Sequence, residues 1–181
     1  MRIWMPVMAC LALGACSGES DEDAANKAAA AAPPAAMSPG QYATDVAVKA
    51  FRSTDGQTPA IKAKVGDKST GAGCVAAGAL PPPELFAGTD DKCTYKTNYI
   101  KDGMINAALD CTTKGVSGQV QMNIQGSYTA TGFEASVDTN TFLPGPGDFA
   151  ETRAVKGRLT RPTCAAPPAD GDKAGAKAKA G

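Results

Sequence analysis

The sequence lacks histidine altogether, and this absence excludes many kinds of catalytic and metal site. Without histidine the chain cannot form the Ser–His or Cys–His pairs that activate nucleophiles. It also lacks the commonest zinc ligand, and its cysteines include no C-x-x-C pair, so a four-cysteine metal site is disfavoured. Hydrolysis by carboxylates alone and calcium binding stay open, although no motif indicates either. We therefore expect no catalytic residue, no metal and no cofactor.

An excess of basic charge is also missing. The chain has 18 lysine and arginine residues against 18 aspartate and glutamate residues. Surfaces that bind nucleic acid or anionic lipid typically carry a basic patch. The glycine-rich stretches at 71–73 and 145–147 lack the strand–turn–helix context and the lysine of a phosphate-binding loop. The sequence therefore predicts neither a nucleic-acid partner nor a basic face.

A long apolar run is the third missing feature. The apolar segment Ile3–Leu13 is shorter than the ~20 residues that a transmembrane helix needs. It follows Arg2 and leads into Leu13-Gly14-Ala15-Cys16, which is the pattern of a bacterial lipobox. We predict that residues 1–15 are a signal peptide and that Cys16 becomes the lipidated N-terminus. An ordinary signal peptide cleaved elsewhere is the alternative.

The predicted lipid also indicates a location. By similarity to other bacterial lipoproteins, Cys16 would carry three acyl chains, and two chains already anchor a protein stably. Ser17 follows the cysteine at the position where an aspartate would favour the inner membrane. We therefore expect a protein held by its lipid on the periplasmic side of the outer membrane of a Gram-negative bacterium.

Composition divides the mature chain into three parts. Residues 16–38 start with the lipidated cysteine and an acidic stretch, and they continue as an Ala/Pro tract that cannot repay its ordering entropy. We predict that this segment is a disordered tether. Residues 165–181 are small, slightly basic and broken by proline and glycine, which predicts a disordered tail. Residues 39–164 remain as one domain of ordinary size.

Alternating apolar residues predict a first hairpin in this domain. Its strands, at 93–99 and 105–111, flank Lys101-Asp102-Gly103, which favours a three-residue loop with glycine in the left-handed position. A hairpin centred on Asp102 places four pairs on one face. These pairs are Tyr99–Ile105, Thr97–Ala107, Tyr95–Leu109 and Cys93–Cys111.

A second hairpin is predicted because the apolar residues shift from even-numbered to odd-numbered positions. Apolar residues occupy even positions up to Tyr128 and odd positions from Phe133, so a four-residue loop is expected between these two residues. This register pairs Ile124 with Val137 and Gly126 with Ala135 on one face.

Further strands are expected at 41–51 and 150–160, and residues 61–65 alternate weakly as a strand or a loop. Residues 81–88 form at most a short helix after three prolines, and residues 143–148 form a loop. The fold class is therefore mainly β, as a single antiparallel curved sheet or small open barrel of about five to seven strands.

Four cysteines remain in the domain, and an exported protein meets an oxidising compartment in which disulfides form. The first hairpin places Cys93 opposite Cys111 as a non-hydrogen-bonded pair with Cα atoms ~4.5 Å apart, a distance that a disulfide spans. Cys74 and Cys164 are then left to pair with each other. This second bridge would connect the end of the domain to the middle of the chain.

A series of motifs runs through residues 39–164. In order they are PGQYATDVAV, Cys74 with PPPELF, the Cys93-Thr94-Tyr95 strand, Cys111, GSYTATGFEASVDT and KGRLTRPTC. Together these motifs resemble the proteobacterial domain-of-unknown-function family number 3617, which occurs in exported proteins and lipoproteins. The resemblance implies the family's architecture and export, and it implies no activity, catalytic residue or cofactor.

Two functional hypotheses follow. The first is a non-catalytic interaction module of the cell envelope, which is anchored to the membrane by its lipid and meets an envelope protein or polymer. The second is a carrier whose curved sheet holds a small apolar ligand, for which a large cavity beside the apolar face would be needed. Plain core packing is the other explanation of that face. The residues that would line it are Tyr95, Tyr99, Leu109, Met122, Ile124, Tyr128 and Phe133.

Overall fold

The computed structural model describes residues 36–88 and 91–164, which form one antiparallel sheet with one short helix. Alternation of apolar and polar residues produces most of the strands, because successive side chains of a strand point to opposite faces. The elements are β1 (Gly40–Ser53), β2 (Lys68–Val75), α1 (Glu84–Ala87), β3 (Asp91–Lys101), β4 (Met104–Thr113), β5 (Gln119–Tyr128), β6 (Gly132–Phe142) and β7 (Phe149–Arg161).

The seven strands lie in the order β2-β1-β7-β6-β5-β4-β3. Strands β3 to β7 form a meander, and β1 pairs antiparallel with both β7 and β2. The sheet curls into a half-barrel, since neighbouring strands are twisted relative to one another. Strands β2 and β3 form its two edges. The predicted mainly β fold with a single curved antiparallel sheet is confirmed, as are the strands predicted at 41–51 and 150–160.

The inner face of the half-barrel holds the core. Tyr42 is fully buried there, and its hydroxyl donates to the carbonyl oxygens of Ser38 at 2.9 Å and Ala130 at 3.1 Å. The bond to Ala130 joins the start of β1 to the turn between β5 and β6. The other large side chains that are completely buried are Leu85, Phe86, Leu109, Ile124, Val75, Val120, Val137 and Val155.

Helix α1 follows three prolines and lies against the inner face, where it contacts β1, β2, β3 and β6. The ring of Phe86 lies 5.0 Å from the ring of Phe133, and Leu85 fills the space that a Cβ at Gly73 would need. Among the described strands β2 and β3 do not pair, and α1 contacts both of them, so it lies across the open side of the half-barrel. The short helix predicted within 81–88 is confirmed.

The first hairpin departs from its predicted register near the turn. Cys93 pairs with Cys111 and Tyr95 pairs with Leu109, as predicted, but a β-bulge at Lys96 then shifts the pairing. The observed partners beyond the bulge are Thr97–Ala108, Asn98–Ala107, Tyr99–Asn106 and Ile100–Ile105.

The predicted Tyr99–Ile105 and Thr97–Ala107 pairs are therefore wrong, and so is the three-residue loop. The turn has two central residues, Asp102 and Gly103, with φ values of 55° and 77°. A positive φ at both positions matches the twist of the flanking strands, and Asp-Gly favours such a turn. One extra residue in β3 reverses the face of every residue between the bulge and the turn.

The second hairpin is confirmed as predicted. Ile124 pairs with Val137, and Gly126 pairs with Ala135. The connection between Tyr128 and its partner Phe133 is closed by a hydrogen bond from the Thr129 amide to the Gly132 carbonyl at 2.8 Å.

Strand β2 is the strand that the sequence does not predict. It contains Gly71 and Gly73 and lacks an alternating apolar set, so its own residues do not favour a strand. It forms against β1, in a register that runs from Gly40–Val75 to Ala47–Lys68. The preceding residues 61–65 form a loop, and residues 143–148 form the predicted loop.

The packed domain begins slightly before the predicted boundary at residue 39. Met37 is 7% exposed and packs into the core, and the Ser38 amide donates to the Ala130 carbonyl at 2.8 Å. The predicted signal peptide, Cys16, most of the tether and the tail lie outside the described residues. Within those residues no helix is long and apolar enough to cross a membrane.

Candidate functional site

The predicted ligand face is mostly the packed core of the half-barrel. Five of its seven residues are buried on the inner face, where α1 lies across the sheet. The rings of Phe86 in α1 and Phe133 in β6 are in contact, so a side chain of the protein occupies the place that a ligand would take. The five buried residues are Leu109, Met122, Ile124, Tyr128 and Phe133.

Tyr95, the sixth residue of the set, also has a structural contact. Its hydroxyl donates to the carbonyl oxygen of Pro81 at 2.8 Å. Burial, with a smaller contribution from the negative charge of Glu84, raises the pKa of Tyr95, so the phenol stays protonated and remains a donor. Tyr95 therefore fastens the segment that leads into α1 to the edge strand β3.

Tyr99 lies on the opposite face from the one predicted. The bulge at Lys96 turns it to the outer face of the sheet, where it is 42% exposed. The Lys101 ammonium lies 4.8 Å from the centre of its ring, within the range of a cation–π contact. Tyr99 is therefore a surface residue and not part of an inner ligand face.

Both predicted disulfides are present. Cys93 and Cys111 lie directly opposite each other in β3 and β4, with Cα atoms 4.1 Å apart. Cys74 and Cys164 join the edge strand β2 to the residues after β7, with Cα atoms 5.5 Å apart. The second bridge crosses over β1, which lies between β2 and β7. The two bridges therefore secure opposite edges of the half-barrel.

A buried ionic pair on the inner face was not predicted from the sequence. Glu151 and Arg153 lie on β7, with the guanidinium Nε 3.4 Å from the carboxylate, and both side chains are largely buried. The Arg153 Nη1 donates to the carbonyl oxygen of Ala87 at 2.9 Å, at the C-terminal end of α1. The sequence does contain a sign of their burial. Glu151 and Arg153 alternate in step with the buried Val155, so all three side chains lie on the same face of β7.

This pair serves the packing of the helix. Burial raises the pKa of Glu151, Arg153 partly offsets that effect by lowering it, and Asp91 raises it further. The guanidinium satisfies a carbonyl at the end of α1, where cations are favoured by the helix dipole. Thr139 pairs with Glu151 across β6 and β7, and its buried hydroxyl has no hydrogen-bond partner among the described residues. A carboxyl group with a raised pKa can serve in proton transfer. Here the carboxylate of Glu151 instead contacts Arg153, and Arg153 binds the end of α1.

Asp55 organises the loops beyond the C-terminal end of β1. Its carboxylate accepts hydrogen bonds from the amides of Gly147 at 2.7 Å, Gln57 at 2.9 Å and Asp148 at 3.1 Å, and from the Ser53 hydroxyl at 2.9 Å. These bonds hold the pKa of Asp55 well below its usual range. The arrangement joins the 143–148 loop to the end of β1. No group of three metal-ligating side chains occurs among the described residues.

Two cavities lie near the loop that connects β1 and β2. A cavity of about 520 Å³ lies over β2, β1 and β7, where Lys49, Lys68 and Lys156 form part of its wall. A second cavity, of about 450 Å³, lies under the loop between β1 and β2. Lysine side chains therefore contribute to the walls of both cavities.

The half-barrel with its helix and two disulfides corresponds to one family of known proteins. Residues 37–164 match the family described as "Protein of unknown function (DUF3617)". The chain belongs to this family. The resemblance inferred from the motifs is thereby confirmed, and the match begins at Met37, the first core residue of the DUF3617 domain. Searches of curated proteins and of solved structures found no match.

Proposed function

We propose that this protein is a lipid-anchored, non-catalytic interaction module of the bacterial cell envelope. The observation that carries the proposal is the lipobox ending at Cys16, which is followed by a domain with two disulfide bridges. Disulfides persist in oxidising compartments such as the periplasm, so the two features point to the same location. Ser17 favours the periplasmic side of the outer membrane.

The polar side chains on the inner face bind other parts of the protein, and this supports a non-catalytic role. Glu151 and Arg153 are engaged with each other and with the end of α1, and the Tyr95 hydroxyl is engaged with Pro81. An active site needs such groups to converge on a space that a substrate can enter. In this domain they hold the helix against the sheet instead, which leaves the outer surface for contact with an envelope protein or polymer.

The carrier hypothesis receives no support from the inner face. Its residues pack against α1 and against one another, so a bound apolar ligand would have to displace Phe86 from Phe133. We therefore keep the interaction module as the proposed function.

The anchoring is tested by Cys16→Ala in the full-length gene product, with Cys10→Ala as the matched control. Cys10 lies inside the predicted signal peptide, so its loss should leave processing unchanged. The Cys16 variant should lack the acyl chains that mass spectrometry finds on the wild type, and it should be lost from the outer-membrane fraction that retains the wild type. Equal fractionation of the two variants, with no acylated N-terminal peptide in the wild type, would refute the anchoring.

The interaction role is tested by native mass spectrometry of the protein purified in mild detergent from its own envelope. A co-purifying protein or polymer supports the proposal. A retained small apolar molecule that protects Phe86 and Phe133 would instead support the carrier.

A further inference from the structure

The fold gathers exposed lysines around the loop between β1 and β2, although the chain as a whole has no net charge. Lys62 and Lys64 in the loop, Lys68 at the start of β2 and Lys49 in β1 are all exposed. None of these four ammonium groups forms an ion pair in the described part of the chain. We call this set, together with Val65, the basic loop surface.

Neighbouring acidic groups offset only part of the charge of the basic loop surface, because its four lysines outnumber the two nearby carboxylates, Asp55 and Asp67, that form no ion pair in the described part of the chain. Asp45 is paired with Arg158 at 2.8 Å. The Asp67 carboxylate accepts a hydrogen bond from the Lys64 amide at 2.8 Å, and the Asp55 carboxylate is bound by backbone amides. The surface is therefore complementary to a partner of negative charge.

Val65 adds an exposed apolar side chain to the same loop, directly after Lys64 in the chain. It is 67% exposed, more than the other large apolar residues that the structure exposes. Its position is fixed, since the Gly66 amide donates to the Val48 carbonyl and the Val48 amide donates to the Asp67 carbonyl, each at 2.9 Å. An exposed apolar side chain in a lysine-rich loop suits the boundary between lipid headgroups and acyl chains.

The cavity under the loop has the same mixed character. Phe51, Pro59 and Ile61 contribute apolar wall, and the charged lining consists of two lysines, Lys62 and Lys64, and one carboxylate, Asp67. Its volume is about 450 Å³, and it is open to the surface rather than enclosed. An amphiphile with a negatively charged head is the chemistry that matches apolar walls beside ammonium groups.

We propose that the basic loop surface docks the domain onto a bilayer that contains anionic phospholipid. The inference rests on the proposed lipid anchor, because a tether of 22 residues behaving as a coil spans only ~25 Å and keeps the domain near the membrane. Lysines act as separate point charges with apolar stems, which suits a fluid array of phosphate groups better than a single shaped ligand. Docking fixes the orientation of the domain relative to that membrane.

The test uses the absence of tryptophan from the mature chain, since Trp4 lies in the predicted signal peptide. Val65→Trp is compared with Met104→Trp, which replaces an apolar residue that is 50% exposed at the start of β4, at the other end of the strands from the β1–β2 loop. Each lipidated variant is reconstituted into phosphatidylethanolamine vesicles with and without phosphatidylglycerol. Tryptophan emission from the Val65→Trp variant should shift to shorter wavelength and be quenched by brominated phosphatidylglycerol, whereas emission from the Met104→Trp variant should not change.

Two sets of lysine-to-glutamine substitutions test whether docking depends on the lysines of the basic loop surface or only on the nearness of the tethered domain to the membrane. In the Val65→Trp background, K62Q/K64Q/K68Q should lower the ratio of docked to undocked protein by about fivefold for each lysine that lies near the surface. The matched control K92Q/K96Q/K114Q removes three exposed lysines from β3 and the β4–β5 loop, and it should leave the ratio unchanged. High salt should reproduce the loss.

The outcomes distinguish this proposal from the proposed function. If the reconstituted protein does not float with vesicles, the lipid anchor fails. If it floats but the Val65→Trp and Met104→Trp variants give the same emission response, or if both lysine series have equal effects, the docking proposal is overturned while the anchor stands. Binding of the basic loop surface to an acidic envelope polymer, without any response to phosphatidylglycerol, would also overturn it.

Discussion

Removing the Cys74–Cys164 bridge should destabilise the domain more than removing the Cys93–Cys111 bridge. The two bridges span 90 and 18 residues. In the chain-entropy model these loops correspond to about 4.6 and about 3.2 kcal/mol of stabilisation, so the expected difference in the free energy of unfolding is ~1.4 kcal/mol. The position of the long bridge reinforces this order, because edge strand β2 pairs with β1 alone among the strands.

Loss of the packed sulfur atoms should destabilise the Cys93–Cys111 variant more than the Cys74–Cys164 variant, which opposes the effect of loop length. This packing contribution to the free energy of unfolding is therefore measured separately. Cys111 is 4% exposed, whereas Cys164 is exposed, so C93A/C111A removes more buried volume than C74A/C164A. Urea unfolding followed by circular dichroism is therefore run with and without reductant. In reductant, each variant differs from the wild type only by the lost sulfur atoms, and this difference is subtracted from the oxidised value.

The corrected loss should be larger for C74A/C164A, and hydrogen exchange should show the earliest opening in β2. A corrected loss that is equal for the two variants, or larger for C93A/C111A, would show that loop length does not set the order. Peptide mapping that found Cys74 joined to Cys93 or Cys111 would refute the pairing itself.

Three further perturbations test the helix, the sheet and the loops. Phe86→Ala should cost roughly 3–5 kcal/mol of unfolding free energy in a urea titration, and a loss below about 1 would mean that α1 is not part of the core. Gly157→Ala should cost roughly 1–3 kcal/mol, because the new methyl group would overlap the Phe133 ring; an unchanged midpoint would contradict this packing. The pKa of Asp55 is lower in the folded state than its ordinary 3.8, so its ionised form stabilises the fold above that pH, and this stabilisation is lost as pH falls. Asp55→Asn should therefore reduce stability at neutral pH and weaken the acid dependence, and an unaltered profile of stability against pH would count against the carboxylate bonds to Gly147.

The family and the core of the fold could be read from the sequence because their signals are local. Alternation over a few residues specified β4, β5 and β6, and the change of parity between Tyr128 and Phe133 specified the second hairpin. The pairing of Cys93 with Cys111 depended on the register far from the turn, where the bulge and the shorter turn compensate each other. The lipobox at Cys16 is likewise a local pattern, and it remains the basis of the predicted anchor.

Other features depend on contacts between distant segments, and these were decided by the tertiary structure. Strand β2 has no apolar alternation and forms because β1 is available as a partner. The bulge at Lys96, which turns Tyr99 outward, has no signature among the residues around it, yet one extra residue reverses a face. The ionic pair of Glu151 and Arg153 is buried because α1 packs over it.

The distribution of charge shows the same division. Composition determines that the chain has no net charge, and from this the sequence predicts no basic face. The fold nevertheless pairs Asp45 with Arg158 and leaves the ammonium groups of Lys62, Lys64 and Lys68 unpaired on one loop and strand. Net charge is a sum that is independent of conformation, whereas a charged surface depends on which groups the fold brings together. The sequence by itself therefore determined the predicted anchor, most of the strands and the disulfides, and the packing of distant segments decided which surface this protein presents.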